Sequence, residues 1–458
     1  MYPENSVSSI KIKNDISVTV PDSAGLMTAY ILLEQGGWFE DEIELLRNII
    51  QPGMKIIDIG ANYGLYTLTL SRLTGDTGKI WAFEPTEKTA AYLRTSIAEN
   101  SFTNIEVIQA GLSDRNGIAS FYTCDNSEWN SLSKITAPGS STEQINLLTL
   151  DHCREIYNWS GIDFMKLDAE GEELNILKAG KDFLASESPL IMYELKHNEK
   201  VNLPLIGEFK NYGYDSYRYV PALDILVPFN PDRPVDIFQL NLFACKQDRA
   251  SRLESSGVLT MQENKEVDPA IDVITEKQQT LPFWKILEGK NIFEQGTPKP
   301  YLEILALYFM ATSKSKSASE KYNSMQTAIK RIQELLEQGE EKIERLATLS
   351  RIAIEAGERV MGVRILGNLI NEYHDNLNFE INEPFLPAMA KYENINPGEN
   401  ITAWFFSSIL EQYIVMHAYS TYFSQRQTLP LFSILEQLGF LDEDMLNRKN
   451  LIQSVFPL

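Results

Sequence analysis

The chain has 458 residues, too many for one ordinary domain, and 43% of them are apolar and 23% charged, as is typical of globular proteins. The formal net charge of −22 opposes the counterion release that drives nucleic-acid binding, so no nucleic-acid partner is expected. Apolar runs stay well below the roughly 20 residues of a membrane span, and no secretory signal is expected. Three widely separated cysteines are typical of a reducing compartment, so a cytoplasmic location is predicted.

Residues 1–50 are expected to form an approach segment to the core. A short strand is predicted at 16–20, and the Gly36-Gly37 pair separates two helical patterns. Pro52-Gly53 then ends the second helix and leads into the first buried strand.

The stretch 55–70, KIIDIGANYGLYTLTL, is the centre of the pattern. An apolar strand carries an embedded acid, Asp58, and two glycines, Gly60 and Gly64, precede an apolar helix face. This order predicts a buried parallel strand, a tight turn and a helix packed back on the sheet. Such a turn presents backbone N–H groups and a carboxylate to a ligand at the carboxyl edge of the sheet.

Strand and helix patterns alternate after this stretch. Further central strands are predicted at 79–83, 105–112, 162–168 and 189–195, helices at 86–100 and 172–184, a side hairpin at 121–124 and 145–150, and a late hairpin at 214–220 and 235–244. This alternation predicts an α/β fold of the Rossmann-like kind, a doubly wound sheet with an antiparallel edge hairpin.

The composition changes near residue 246. Residues 246–280 are polar with little periodicity and are expected to be a linker. An all-α C-terminal domain is predicted for 281–458, where apolar stripes recur at helical spacing and Gly339 and Gly357 separate them. Either a TPR-like array or a plain bundle fits this pattern. This region is the candidate surface for a protein partner or for self-association.

Charged side chains follow the predicted central strands where each one ends, namely Asp58, Glu84, Asp114, Lys166, Asp168, Glu170 and Glu194. In an open α/β sheet, ligands bind at this edge. One carboxylate such as Glu84 can accept hydrogen bonds from both hydroxyls of a ribose. Nicotinamide cofactors and S-adenosylmethionine both carry such a ribose, so Glu84 does not choose between them.

The first turn helps to choose. The dinucleotide fingerprint needs a third glycine for close packing under a pyrophosphate, whereas this turn reads D-x-G-x-x-x-G. A carboxylate at Asp58 would repel a pyrophosphate but can orient the amino group of a methionine tail. The pattern therefore favours S-adenosylmethionine over a nicotinamide dinucleotide.

Four segments in order, DIGANYGLYTLTLS, WAFEPTEKTAAYLRTSIAEN, QAGLSDRNG and IDFMKLDAEGEELNILKAGKDFL, resemble the FkbM family of S-adenosylmethionine-dependent methyltransferases. The resemblance covers Gly53 to Leu195 and implies a class I methyltransferase domain at 51–245. It also implies O-methylation of a sugar, glycan or secondary-metabolite hydroxyl. The cofactor-binding positions it implies are Asp58, Gly60, Ala61, Asn62 and Gly64 in the turn, Glu84 at the ribose, and Ser113 and Asp114 on the adenine side.

The K-x-D-x-E-G segment supplies the candidate catalytic groups. Methyl transfer is an in-line displacement, and a hydroxyl acceptor needs a base to take its proton. Asp168 or Glu170 is the expected base, with Lys166 as electrostatic partner or, if desolvated, as the base itself. In a less favoured alternative, Asp168, Glu170 and Glu194 hold a Mg²⁺ that acidifies the hydroxyl.

Other residues are candidates for acceptor contact. Trp129, in the loop 125–142, is positioned to stack on a sugar ring, and Glu194 and His197 follow the fifth strand. Glu173 is expected to be only a charge on a helix face. Two other functions remain open: a catalytically silent scaffold that acts through its helical half, and an N-methyltransferase, although the Asn/Asp-Pro-Pro-aromatic signature of planar amine acceptors is absent.

Overall fold

The computed structural model describes residues 7–127, 130, 140–197, 200–261, 265–289 and 297–456. The chain divides into two compact units. The first comprises Met1–Tyr219, Leu226–Val235 and Gln239–Leu259, and the second comprises Val220–Ile225, Asp236–Phe238 and Thr260–Leu458. The first unit contains the sheets, and the second is helical. None of the helices in the described residues is both long and apolar enough to cross a membrane.

The strands are β1 (Val7–Ile12), β2 (Ile16–Pro21), β3 (Lys55–Ile59), β4 (Lys79–Phe83), β5 (Ile105–Ile108), β6 (Gly111–Leu112), β7 (Gly117–Thr123), β8 (Ser141–Leu148), β9 (Phe164–Leu167), β10 (Leu190–Glu194), β11 (Lys196–His197), β12 (Lys200–Val201), β13 (Tyr214–Val220), β14 (Ile225–Pro228) and β15 (Asn241–Lys246).

The α-helices of the first unit are α1 (Met27–Gln35), α2 (Glu42–Ile49), α3 (Leu65–Thr74), α4 (Glu87–Glu99), α5 (Leu150–Ile156), α6 (Glu173–Lys178), α7 (Lys181–Ser186), α8 (Leu203–Asn211) and α9 (Gln247–Ser255). Those of the second unit are α10 (Asp272–Thr280), α11 (Pro282–Gly289), α12 (Lys299–Ala311), α13 (Ala318–Glu337), α14 (Ile343–Glu355), α15 (Arg359–Tyr373), α16 (Ile401–Met416), α17 (Thr421–Ser424), α18 (Leu429–Gln437) and α19 (Glu443–Val455).

The main sheet has eight strands in the order β14-β13-β15-β10-β9-β3-β4-β5. Strands β10, β9, β3, β4 and β5 pair in parallel, and β15 joins β10 and β13 antiparallel. The predicted doubly wound sheet with an antiparallel edge is therefore confirmed. Apolar side chains are buried on both of its faces, which explains why the central strands are nearly continuous apolar runs.

Two predicted elements are divided in the structure. The strand expected at 105–112 consists of β5 in the main sheet and β6 in a small sheet with β7 and β8. The helix expected at 172–184 breaks between α6 and α7 at Gly180, where a Cβ atom would lie 2.5 Å from the Leu150 side chain. The close approach of Leu150 thus explains why glycine occupies this position.

The late hairpin also differs from the prediction. Strand β15 begins at Asn241 rather than at residue 235, because Asp236–Phe238 belong to the helical unit. There the Asp236 carboxylate accepts a hydrogen bond of 2.9 Å from the Val360 amide, and the Arg359 guanidinium lies 4.2 Å from the centre of the Phe238 ring. Strand β14 was not predicted.

The chain outside the predicted methyltransferase domain is more regular than expected. Residues 7–21 form a hairpin of β1 and β2, of which only β2 was predicted. Residues 246–280, expected to be a linker, contain α9 and α10, and the boundary between the units falls after Leu259. These two helices consist mostly of polar residues, so the sequence shows too little apolar periodicity to indicate a helix.

The helical unit follows its predicted stripes. Helices α13, α14 and α15 lie where the stripes predict them, and Gly339 and Gly357 each adopt a φ of +83° just after a helix end. The aromatic residues Trp404, Phe405 and Phe406 of α16 are fully buried, as expected for core residues. Consecutive helices from α12 to α16 pack against one another, as they do in both repeat arrays and bundles.

A buried ion pair lies inside this unit. The Arg345 guanidinium donates two hydrogen bonds, of 2.8 and 2.7 Å, to the Glu383 carboxylate, and both side chains are at most 2% exposed. The guanidinium also donates a hydrogen bond of 2.6 Å to the half-exposed Glu340 carboxylate, so loss of the Glu383 charge leaves it with a single, partly solvated partner.

We therefore expect Glu383→Gln to lower the free energy of unfolding of the helical unit by about 3 kcal/mol, measured by urea denaturation. The matched control is Glu436→Gln, which removes an ion pair to Lys449 in which the Glu436 side chain is 57% exposed. Its cost should stay below about 1 kcal/mol. Equal losses in the two variants would contradict a structural role for the buried pair.

Candidate active site

The turn after β3 has the geometry that its glycines predict. Gly60, Asn62 and Gly64 adopt positive φ values of +78°, +48° and +91°. A Cβ atom on Gly60 would lie only 1.8 Å from the carbonyl oxygen of Asp168. Glycine is thus required at this position both by the backbone conformation and by the close approach of the segment after β9.

Glu84 is tied to this turn. Its Oε2 accepts a hydrogen bond of 3.1 Å from the Asn62 amide, and its Oε1 accepts bonds of 3.0 and 2.7 Å from the amide and hydroxyl of Thr86. Burial raises the pKa of Glu84 to about 7, although these hydrogen bonds favour the ionised form. The predicted ribose acid therefore lies beside the turn, with a pKa near neutrality.

Asp58 is completely buried at the end of β3. Its Oδ2 accepts a hydrogen bond of 2.5 Å from the Thr67 hydroxyl, while its Oδ1 has no hydrogen-bond partner among the described residues. Burial raises the pKa of Asp58, and the nearby charge of Lys166 opposes this shift. A buried carboxylate oxygen without a partner is suited to receive a donor group from a ligand.

The two residues expected on the adenine side have different environments. Ser113 is 1% exposed and donates a hydrogen bond of 2.6 Å to the Glu172 carboxylate. Asp114 has a half-exposed side chain, which pairs with Arg115 at 2.9 Å. Of the two, the structure buries only Ser113.

Lys166 lies at the centre of the acidic edge. Its Nζ is 2.6 Å from Oδ2 of Asp168, and in the parallel pairing of β3 with β9 it is the register partner of Asp58. Burial would favour a neutral amine, but Asp168, Asp58 and Glu40 together raise the pKa of Lys166. Lys166 is consequently an ammonium ion, and the alternative in which it acts as the base is disfavoured.

Two residues of this edge were missed by the sequence analysis. Tyr66 of α3 donates a hydrogen bond to the Glu40 carboxylate, and Nζ of Lys166 lies 5.0 Å from the centre of the Tyr66 ring. Glu40 comes from the segment before α2, which was expected only to approach the core. The acidic run Glu40–Glu42 carries no motif that would have indicated this contact.

Glu173 was also interpreted wrongly. It is 1% exposed rather than a surface charge, and its Oε1 accepts hydrogen bonds of 2.8 and 3.2 Å from the amides of Ala169 and Gly171. Between these two residues, Glu170 adopts a φ of +51°. Glu173 therefore holds the turn that carries Glu170.

Asp168, Glu173 and Glu194 each place one carboxylate oxygen within 4.8 Å of the others. The metal alternative had included Glu170 in place of Glu173. In this set Lys166 already pairs with Asp168, and backbone amides already occupy one oxygen of Glu173. Because these contacts balance part of the charge without an ion, we assign no metal to the cluster.

A loop of the side hairpin contacts the turn as well. The Ser127 hydroxyl donates a hydrogen bond of 2.8 Å to Oδ1 of Asn62, and Oδ1 of the adjacent Asn126 accepts a bond of 2.9 Å from the amide of Met27. Trp129 lies outside the described residues, as does the side chain of His197.

Residues 58–216 match the family model for the methyltransferase FkbM domain, which covers about a third of the 458 residues. No curated protein matches the chain. Similar solved structures include a putative rRNA methylase from Clostridium thermocellum, at 8% identity over 46% of this chain and 95% of that chain, with a TM-score of 0.28. An S-adenosylmethionine-dependent methyltransferase from Aquifex aeolicus is 16% identical over 47% of this chain and 90% of that chain, with a TM-score of 0.26.

An S-adenosylmethionine-dependent O-methyltransferase from Thermotoga maritima is 13% identical over 56% of this chain and 79% of that chain, with a TM-score of 0.27. The first unit is an α/β fold with a mainly parallel central sheet, and the family match shows that it is similar to methyltransferases. More particularly, residues 58–216 are similar to the methyltransferase FkbM domain. The match supports methyltransferase activity that depends on S-adenosylmethionine, the donor of the family.

The turn gives a direct test. Gly60→Ala would add backbone strain on the order of 1–3 kcal/mol and force the turn away from the Asp168 carbonyl, so we expect the Kd for S-adenosylmethionine to rise roughly tenfold or more. Titration calorimetry measures this change. Gly207→Ala in α8 is the control, because nothing lies within 4 Å of its added Cβ atom. Unchanged binding in both variants would contradict the assignment of the turn.

Proposed function

We propose that the chain transfers the methyl group of S-adenosylmethionine to a hydroxyl group of a sugar, glycan or secondary metabolite. The observation that carries the proposal is the contact between the turn after β3 and the backbone of Asp168. It joins the segment that resembles a donor-binding motif to the segment that carries the candidate catalytic groups. Both lie at the carboxyl edge of the sheet, where ligands of such folds bind.

The residues of the turn have complementary roles in this proposal. Glu84, when ionised, accepts hydrogen bonds from the ribose hydroxyls. Oδ1 of Asp58 has no hydrogen-bond partner among the described residues, so it can accept a hydrogen bond from the ammonium group of the donor's methionine part. The backbone amides of the turn orient the remaining polar groups of the donor. S-adenosylmethionine supplies an electrophilic methyl group on a sulfonium, so the protein has to position donor and acceptor in line and remove the acceptor's proton.

The charge of the edge bears on the acceptor. Lys166 is accompanied by the carboxylates of Asp58, Asp168, Glu40 and Glu194. Those of them that are ionised would repel an anionic acceptor, and all of them can accept hydrogen bonds from a neutral polyol. The acceptor we propose is therefore a neutral hydroxyl compound. An amine remains the second candidate, because the same negative charge would attract an ammonium group.

The function is tested by incubating the protein with methyl-labelled S-adenosylmethionine and a panel of neutral glycans, lipid-linked sugars, sugar phosphates and amines, with mass-spectrometric detection. Methylation of neutral hydroxyl compounds alone is the expected result. Methylation of amines would favour the N-methyltransferase. No donor binding in calorimetry would favour the scaffold that acts through its helical half.

Glu84 predicts how donor binding depends on pH. Because its pKa is about 7, most of it is protonated at pH 6 and ionised at pH 8. The ionised form accepts both ribose hydroxyls, so the Kd for S-adenosylmethionine should be about tenfold higher at pH 6 than at pH 8. Glu84→Gln should bind more weakly at pH 8 and show a much flatter profile. If Glu84→Gln shows the same pH dependence as the wild type, a group other than Glu84 causes that dependence.

A further inference from the structure

The order of the strands indicates where the reacting methyl group lies. The proposed ribose acid, Glu84, follows β4, and Asp58 ends β3. Strands β9 and β10 lie on the other side of β3, with Asp168 and Glu194 at their carboxyl ends. In a donor whose ribose lies over β4 and whose methionine part lies over β3, the sulfonium joins these two parts, and its third substituent, the methyl group, is placed to face the side where β9 and β10 end. This step rests on the proposed function.

The carboxylates at that end differ in what they contact. Asp168 pairs with the Lys166 ammonium at 2.6 Å, and Asp58 accepts the hydrogen bond of Thr67. Glu173 is held by the amides of the following turn. The carboxylate of Glu194, by contrast, makes no hydrogen bond or ion pair with the described residues, and the residue is half-buried.

From this arrangement we propose that Glu194 is the general base of the methyl transfer, rather than Asp168 or Glu170. As the acceptor oxygen bonds to the methyl carbon, the carbon–sulfur bond breaks and its electron pair stays on sulfur, which becomes a neutral thioether. The hydroxyl proton passes to the Glu194 carboxylate. The products are the methyl ether, S-adenosylhomocysteine and a neutral Glu194, which returns its proton to solvent.

The electrostatic surroundings support this role. Burial raises the pKa of Glu194 well above the usual value, and the facing carboxylates of Asp168, Glu170, Glu173 and Glu40 raise it further. A carboxylate with a raised pKa is a stronger base than an ordinary one. Asp168 is held instead by the nearby ammonium of Lys166, so it is better suited to position the acceptor than to take its proton.

The decisive variant is Glu194→Gln, which keeps the shape of the side chain and removes its basicity. With an acceptor identified by the panel, kcat should fall about 100-fold or more, while the Kd for S-adenosylmethionine stays within threefold of wild type. Glu194→Asp should recover part of the rate. Glu155→Gln, on the exposed side of α5, is the matched control and should behave as wild type.

A second readout needs no acceptor. The infrared difference spectrum of wild type minus Glu194→Gln should contain the carboxyl stretching band of a protonated glutamic acid above the pH at which ordinary carboxyls ionise, because subtraction removes the bands of Glu84 and Asp58, whose pKa values are also raised. Absence of such a band, or a kcat within threefold of wild type in Glu194→Gln, would overturn the assignment. So would activity that chelation abolishes and Mg²⁺ restores, because Glu194 would then be a metal ligand.

These outcomes are distinct from a failure of the proposed function. If the wild type binds no S-adenosylmethionine or methylates no member of the panel, the proposed function fails. If the wild type turns over and Glu194→Gln does as well, only the assignment of the base fails. Loss of donor binding in Glu194→Gln, with an unchanged melting temperature, would place the residue at the donor and also overturn the proposal.

Discussion

The close contact between Gly60 and the carbonyl oxygen of Asp168 is the constraint on which the rest of the site depends. No side chain fits between the two backbones, since a single Cβ atom would lie 1.8 Å from that oxygen. The turn after β3 and the segment after β9 are consequently in direct backbone contact. In the proposed function, this contact sets the separation between the groups that bind the donor and the groups that act on the acceptor, which an in-line displacement requires.

Charge is the second constraint. The Lys166 ammonium is surrounded by buried or half-buried carboxylates. Asp168, Asp58 and Glu40 each raise the pKa of Lys166. Burial and the neighbouring carboxylates raise the pKa of Glu194 well above the usual value, and its carboxylate has no cation as a direct partner among the described residues. The edge therefore contains both a paired carboxylate and a basic one. Their difference in role follows from position rather than from residue type.

Much of the first unit could be predicted because its signals are local. Strand β4 has its predicted bounds, and the positive φ values of Gly60 and Gly64 follow from the turn pattern. Glu40 and Glu173 could not be assigned in this way. Each acts through a partner that is set by tertiary packing, Tyr66 in one case and two backbone amides in the other. No periodicity in the sequence records such contacts.

The two halves of the site differ in whether they are built from one short stretch of sequence or from distant residues. Asp58, Gly60 and Gly64 lie within seven residues, so a local pattern suffices to indicate what kind of ligand they bind. Glu194 lies 130 residues after Gly64 and gains its basicity only when β10 pairs with β9 and brings its carboxylate close to those of Asp168 and Glu173. Identical residue types would give a weaker base if they were exposed or paired with a cation. The nature of the donor is thus a property of one short stretch, whereas the choice of base is a property of the folded sheet.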